Sequence, residues 1–433
     1  MPFPQSFLDE LVARSDIVDV VGSYVQLTRK GANLFGLCPF HSEKTGSFSV
    51  SPDKQIYYCF GCKRGGGVIN FIMEEENLSF PDAVRFLAKR AGMEVPEEDG
   101  DREAGRRRQR LLDLNRDAAR FYYQMLQQPE GRAVQEYLDR RKIRRATAVN
   151  FGLGASLDAW DALILAMTKK GYTKSELLEA GLAVQNRNGG LYDKFRNRLM
   201  FPVIDVRGDV VAFGGRVLDK SEPKYMNSQE TPVYSKRRVL YGLNLAKKSK
   251  RSNIILCEGN IDVVTLHQAG FDNAVASMGT ALTVEQTRLL SRFTKELVLC
   301  YDNDNAGKIA TERALEILNN SEFSVKVLQL PRRRTEEGEL VKQDADDFIK
   351  FQGKDAFEAL LNGSENGIEF RMAQAAGKYD LSSDEARVAY CEEVSGLLAA
   401  LANPVEREIY TTRAAETAKI TPEAMRLEVQ RAF

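Results

Sequence analysis

Apolar and polar positions along this chain keep three different rhythms. Near the N-terminus, "SFSVS" and "QIYYCF" alternate with a period of two around the polar turn "SPDKQ", a pattern that predicts paired strands. "FPDAVRFLAKRAGMEV" (80–95) repeats every three to four residues and predicts an amphipathic helix, capped by Ser79 with Asp82 three residues on. From 252 the rhythm changes again. Short apolar runs, "NIILC" (253–257), "NAVAS" (273–277), "ELVLCY" (296–301) and "SVKVLQL" (324–330), are separated by the helical stretches "NIDVVTLHQAG", "VEQTRLLSRF" and "KIATERALEIL". Strand and helix alternating over short loops predict parallel βαβ units in an open sheet.

The intervening pattern is mixed. Helices are predicted over 132–140, 158–170 and 174–180. They are followed by "FRNRLMFPVIDVRGDVVAFGGRVL" (195–218), a hairpin-rich sheet turning at Arg207-Gly208-Asp209. The stretch 355–433 reads as helices with a turn at "LANPVE". "PEEDGDREAGRRRQR" (96–110) has almost no apolar residues, contains Gly100 and Gly105, and switches charge sign midway. It is expected to be a linker running into a long helix from about 106 to 128.

A chain of 433 residues carries two to four domains at roughly 100–200 residues each. Lysine plus arginine balance aspartate plus glutamate at 61 each, which argues against nucleic-acid binding by bulk charge. Local charge is uneven: "DREAGRRRQR" (101–110) and "LDRRKIRR" (138–145) are basic, "EEEN" (74–77) and "DADD" (344–347) acidic. No apolar stretch approaches the roughly 18 residues of a membrane span, and "MPFPQSFLDELVARSD" lacks a signal peptide's apolar core. A cytoplasmic location is expected. The six cysteines of such a chain read as thiols or metal ligands, not a disulfide framework. Cys257, Cys300 and Cys391 stand alone in apolar surroundings and are expected to be small core residues. His267 is expected to be a core or surface histidine.

The other three cysteines stand with the second histidine in "CPFH" (38–41) and "CFGC" (59–62). A two-residue gap inside each half lets one tight turn present two ligands to one ion. Cys38, His41, Cys59 and Cys62 therefore predict one structural, tetrahedral zinc with no open coordination position. The surrounding sheet is expected to show Phe48, Tyr57, Tyr58 and Phe60 beside Lys44, Lys54, Lys63 and Arg64, a mixture suited to single-stranded nucleic acid; the competing expectation is that the aromatics form the module's core. Further along, Arg196, Arg198, Arg216, Lys224 and Lys236 recur near strand ends with Tyr225, either a solvated basic face or a groove that tracks phosphates.

The acids sit at predicted carboxyl ends of strands, where ligands bind in open α/β sheets. Glu258 ends the first strand, Asp302 and Asp304 the third, and Asp344, Asp346 and Asp347 follow the fourth. Asp262 lies one helical turn after Glu258. Clustered carboxylates call for a cation, and oxygen ligands suit Mg²⁺ or Mn²⁺, two of which could promote in-line phosphoryl displacement.

"EGNID" with "YDNDNAG" resembles the Toprim signature. "CPFHSEKTGSFSV", "YCFGCKRGGGVINF", "RNRLMFPVIDVRGDVVAFGGRVL" and "PKYMNS" together resemble the bacterial DnaG-type primases, over nearly the whole chain. The resemblance implies a DNA-directed RNA polymerase that makes short RNA primers from ribonucleoside triphosphates on single-stranded DNA. It implies Glu258, Asp302 and Asp304 as central metal ligands, with Asp262, Asp344 and Asp346 supporting, for one to three Mg²⁺ or Mn²⁺. Arg196, Arg198, Arg216, Lys224, Tyr225, Asn227 and Lys236 would line the template or nucleotide path, Lys224 and Lys236 closest to the chemistry. Gly46, Asn260, Asn303 and Ala345 depart from the family's usual proline, tyrosine, glycine and proline. The implied domains are a zinc-ribbon template-recognition domain (1–98), a linker (99–110), a mixed α/β basic subdomain (111–248), a parallel-sheet Toprim subdomain (249–352) and a helical subdomain (353–433). Partners in the family include the replicative helicase, with a single-stranded DNA-binding protein as a further possibility. The domain that binds the helicase is expected to be absent here, because 355–433 looks too short to hold it. Two other functions compete, a Toprim nuclease or topoisomerase and a non-catalytic single-stranded DNA mediator.

Overall fold

The computed structural model describes residues 3–432 apart from Ser42, Lys44, Asn77, 96–98, Lys220, Thr280, Asn320, Glu322, 336–337 and Ala402, and the backbone alone at 99–102. It forms two compact units, Met1–Lys295 with Glu312–Phe323, and Glu296–Thr311 with Ser324–Phe433.

In the first unit, helices Gln5–Arg14 and Ile17–Gly22 accompany a five-stranded antiparallel sheet whose strands follow chain order: Thr28–Lys30, Asn33–Gly36, Phe48–Ser51, Ile56–Cys59 and Gly65–Gly66. Along Ile56–Cys59 the alternation is strict: Ile56 and Tyr58 face out, Tyr57 and Cys59 in. Phe48 lies 5.4 Å from Tyr57 between ring centroids, and Phe71 closes the group 5.6 Å from Tyr57. The helix Phe80–Arg90 forms as expected. Ser79 Oγ accepts from Asp82 N–H, and Ala83, Val84, Leu87 and Ala88 are buried at helical spacing. An ion pair of 3.2 Å ties Glu76 of this module to Arg292.

The expected linker is helical. A single helix runs Asp99–Gln127, straight through the charged stretch. Two of its arginines are docked: Arg107 pairs with Glu179 at 2.9 Å, Arg110 with Glu176 at 2.9 Å, and Arg110 also lies 4.2 Å over the Tyr172 ring. A charge run reads as a solvated tether when its partners are some seventy residues away. Here they make it a docked helix face. Further along, the helix backs a four-stranded antiparallel sheet ordered Tyr225–Asn227, Val210–Val217, Arg198–Ile204, Gly154–Ser156. Asn115 Nδ2 donates to Val211 O, and Tyr122 meets Phe213 edge-on at 5.5 Å. Gly154 makes the approach possible, since a Cβ there would stand 2.6 Å from Tyr122.

The strands Asn253–Cys257 and Ala274–Ala276 pair in parallel across the helix Asn260–Ala269. In the second unit, Glu296–Cys300 and Ser324–Val327 pair in parallel, and Glu365–Asn366 joins the latter antiparallel. A two-residue-per-strand hairpin, Arg333–Arg334 with Leu340–Val341, precedes a helix Ala345–Asn362 that breaks at Gly353, where φ is 84°. Helices Gly367–Lys378, Asp384–Ala399, Pro404–Ala418 and Pro422–Arg431 then close on their own core of Tyr390, Val394, Leu398, Ala414 and Met425. All four strands predicted between 252 and 330 are present. Among the described residues no helix is long and apolar enough to cross a membrane.

Candidate metal centres and nucleic-acid interface

The structure brings Cys38, His41, Cys59 and Cys62 together, with one ligand atom of each within 4.8 Å of the others. Cys38 Sγ lies 3.8 Å from Cys62 Sγ, and Cys59 Sγ 3.7 Å from His41 Nδ1. The donor set fits a tetrahedral zinc. Burial pushes the Cys38 thiol up, whereas at Cys59 bonds from Ser47 and the Cys62 N–H outweigh burial and hold the thiol low. Three thiols and an imidazole within reach of one point form the donor set of a structural zinc. Backbone donors already point at the sulfurs, Phe40 N–H at Cys38 Sγ and Cys62 N–H at Cys59 Sγ, both 3.4 Å. Gly46 has a local reason for being glycine: a Cβ would stand 2.7 Å from Gly36 O.

The aromatic expectation divides. Phe48 and Tyr57 are core residues, whereas Tyr58 and Phe60 are exposed and meet edge-on at 5.1 Å. Lys54 and Lys63 are exposed with them and Arg64 is half-buried over Phe40. Lys44 lies outside the described residues.

The cations of the middle sheet divide similarly. Arg196 is half-buried, with its guanidinium 4.3 Å over the Trp160 ring and 5.0 Å from Tyr192. Trp160 itself is 66% exposed. Sequence reasoning missed it; the signal was a lone tryptophan flanked by aspartates in "LDAWDA". Arg198, by contrast, is 5% exposed and donates from NH1 to Pro223 O at 2.9 Å and Gly215 O at 3.4 Å. Its work is inside the fold, and it is a poor phosphate ligand. Arg216 is also buried, held between Tyr137 at 5.0 Å and Tyr225 at 5.3 Å and donating to Tyr225 Oη. Lys224 is exposed beside Tyr225, and Lys236 is half-buried near Lys194, which helps lower the Lys194 ammonium's pKa after burial. Asn227 Nδ2 donates to Met278 O at 2.9 Å, tying the sheet's edge strand to the loop behind Ala274–Ala276. Asn260 packs by Gly214, where a Cβ would meet its Nδ2 at 2.7 Å.

Glu258 stands at the end of Asn253–Cys257, half-buried. Asp262 is buried on the following helix and folds back so far that a Cβ on Gly259 would meet its Oδ2 at 2.6 Å. In the second unit, Asp302 and Asp304 follow Glu296–Cys300 as expected. Asp304 accepts from Gly307 N–H at 2.8 Å and from Lys342 Nζ at 2.7 Å, and the lysine beside it holds its carboxyl below the usual range. Asn303 donates to Leu330 O, which fixes the turn between the two acids. Asp344, Asp346 and Asp347 also gather, with carboxylate oxygens within 4.8 Å of one another. Part of that grouping is structural. Asp344 caps the helix Ala345–Asn362 by accepting from Asp347 N–H, and Asp346, fully buried, pairs with Lys350. Lys342, unremarked in the sequence, is the cation nearest Asp304 among the contacts described. His267, expected to be a core or surface histidine, is half-buried, contacting Ala274 O through Nε2 and Phe151 edge-on. Cys257, Cys300 and Cys391 are buried.

Four family models match the chain in order: a CHC2 zinc finger over 3–103, the N-terminal domain of the DNA primase catalytic core over 121–247, a Toprim-like domain over 255–349, and a DnaB-helicase binding domain of primase over 368–423. The last overturns the expectation that the helicase-binding domain is missing. The stretch judged too short for it holds four helices around a core of their own. A DNA primase of Clostridium acetobutylicum is 42% identical over 415 residues, covering 95% of this chain and 67% of the relative. Against other curated relatives this chain spans as little as 54% of their length. The zinc-binding and RNA polymerase domains of the Aquifex aeolicus primase superpose with a TM-score of 0.59 at 31% identity, covering 97% of this chain and 98% of that one. A DnaG primase catalytic domain bound to single-stranded DNA gives 0.61 at 32% identity, covering 72% and 99%. These matches favour neither a topoisomerase or nuclease nor a non-catalytic mediator. The zinc module, the primase core domain, the Toprim-like strands and their order along the chain lead to one conclusion: the chain belongs to the DnaG-type DNA primases.

Proposed function

We propose that this chain makes short RNA primers on single-stranded DNA from ribonucleoside triphosphates, releasing pyrophosphate. The observation that carries the reading is the acid pair Asp302 and Asp304 at the end of Glu296–Cys300, one of them already drawing a lysine cation. In this reading Glu258 with Asp262 in the first unit, and Asp302 and Asp304 with Asp344 and Asp346 in the second, serve as ligands for Mg²⁺ or Mn²⁺. Divalent ions bound there would offset the negative charge of the triphosphate and ease deprotonation of the attacking hydroxyl. The protein's own residues do the rest. Gly307 N–H and the Asn303 bond to Leu330 O hold the Asp302–Asp304 turn in one shape. Arg196 on Trp160, with Tyr58 and Phe60 of the zinc module, offers exposed stacking surface to unpaired bases. Lys224 and Lys236 offer charge to phosphates. Arg198 supports the sheet beneath. The helical bundle over 368–423 would contact the replicative helicase, in line with the family model that matches it.

Labelled ribonucleotides on a single-stranded template test this directly. Template-dependent product requiring Mg²⁺ or Mn²⁺ is expected. Asp302→Ala should lower incorporation at least about a hundredfold and leave single-stranded DNA affinity within about threefold. Full activity in that variant would remove Asp302 from the site. Plasmid cleavage or relaxation without nucleotides would replace primer synthesis with the nuclease reading.

A further inference from the structure

Glu43 sits two residues beyond His41, and its side chain is only 10% exposed. A buried carboxylate is costly unless it is satisfied, and this one is. Its Oε1 accepts from Cys38 N–H at 2.8 Å and from Ser47 N–H at 2.9 Å, on either side of the "CPFH" turn. Its Oε2 accepts from Ser47 Oγ and stands 3.4 Å from His41 Nε2. The two nitrogens of the His41 ring are thereby divided. Nε2 faces the carboxylate, and Nδ1 faces Cys59 Sγ at 3.7 Å. The contact does not end at Glu43. Ser47 Oγ lies 3.3 Å from Cys59 Sγ and accepts from Gly61 N–H at 3.2 Å, so it reaches the second pair of ligands. Gly61 is confined to glycine by the same crowding, since a Cβ there would meet His41 Nε2 at 2.6 Å and Ser47 Oγ at 2.9 Å.

A loop-bracing role for Glu43 would account for the two backbone bonds. It does not account for the placing of Oε2 against the outer nitrogen of a ligand ring, nor for the continuation through Ser47 to the other half of the site. Ligand histidines commonly give their second N–H to a carboxylate, which fixes the tautomer and the ring's orientation. We propose that Glu43 is the positioning residue of the zinc site: it takes the Nε2–H of His41, leaves Nδ1 as the ligand nitrogen, and through Ser47 couples the Cys38/His41 half to the Cys59/Cys62 half.

The test uses the full chain loaded with zinc. The chain has two histidines, so ¹⁵N labelling of histidine gives two ring patterns, and His41 is identified as the one that changes on zinc loading. Nδ1 bound and Nε2 protonated is the expected pattern; Nε2 bound to the metal overturns the proposal. Zinc affinity, measured by competition with a coloured chelator, should fall about 10–100-fold in Glu43→Ala and less in Glu43→Gln, which keeps an acceptor. Affinity within twofold of the parent in Glu43→Ala also overturns it. Ser47→Ala leaves the carboxylate in place and guards against simple misfolding of the Glu43 variants. Its effect should combine with that of Glu43→Ala to less than the product of the two; full multiplication of the losses would sever the proposed coupling.

Discussion

Arg196 and Arg198 stand two residues apart at the start of one strand, and the fold gives them opposite tasks. Arg196 lies on an exposed indole, while Arg198 spends its guanidinium on two buried carbonyls. Arg198→Ala should therefore cost stability, about 1–3 kcal/mol in urea unfolding, because it strands those acceptors. Arg196→Ala should cost less, since its own bond to Asp193 O and its ring contacts lie at a partly exposed site. It should weaken single-stranded DNA binding and, if the guanidinium meets a phosphate, make the salt dependence shallower by about 0.7 in slope. The reverse assignment of losses would return Arg198 to the interface. This distinction was illegible in the sequence, where both read as cations near a strand end. Burial of a charged side chain depends on what the next strand contributes, here the carbonyls of Gly215 and Pro223. The zinc ligands were legible because their signal is local: two short turns of fixed spacing carry all four. Glu43 is equally close in sequence and still escaped notice, since a single glutamate beside a ligand has no spacing to declare it.

Elements with strong periodicity formed where expected, the helix Phe80–Arg90 and the four strands behind residue 252 among them. The first turns of the helix Asp99–Gln127 read as a linker because they are polar and their partners, Glu176 and Glu179, are remote. Charge complementarity across sequence distance has no period to detect. The same limitation hid a buried acid in the middle subdomain. Asp193 accepts from Leu163 N–H at 2.7 Å and Ile164 N–H at 3.0 Å, at the head of the helix Ala162–Lys169. Burial nevertheless pushes its carboxyl up to about 6, the two bonds only moderating the rise. An acid whose pKa is raised in the folded state binds its proton more tightly there than when unfolded. Its contribution is fully present below the unfolded value, about 4, and is lost as pH rises through about 6. Asp193→Asn should remove that dependence. Compared with the parent by urea unfolding, the variant should gain ground between pH 4 and 7 by about 2–3 kcal/mol. A difference that stays constant with pH would mean that the carboxyl titrates normally.

At the scale of the molecule, the order of the parts was legible and the nature of the last one was not. By length alone, 355–433 reads as helical but too short for a helicase-binding domain. What it buries was invisible: Tyr390, Val394, Leu398, Ala414, Ala415 and Met425 come from three helices that a linear reading cannot pack together. A fragment spanning 364–433 should accordingly fold by itself, showing helical circular dichroism and one cooperative thermal transition despite its small size. A featureless melt would make that core dependent on the rest of the second unit. Finally, Trp160 is the chain's one tryptophan, and it is the exposed ring beneath Arg196. Neither the zinc module nor the helical bundle has an indole to add background. The protein thus carries its own optical reporter at a single proposed template contact, and an unlabelled oligonucleotide should quench its emission saturably. Arrival of template could be timed in a stopped-flow instrument before any nucleotide is joined.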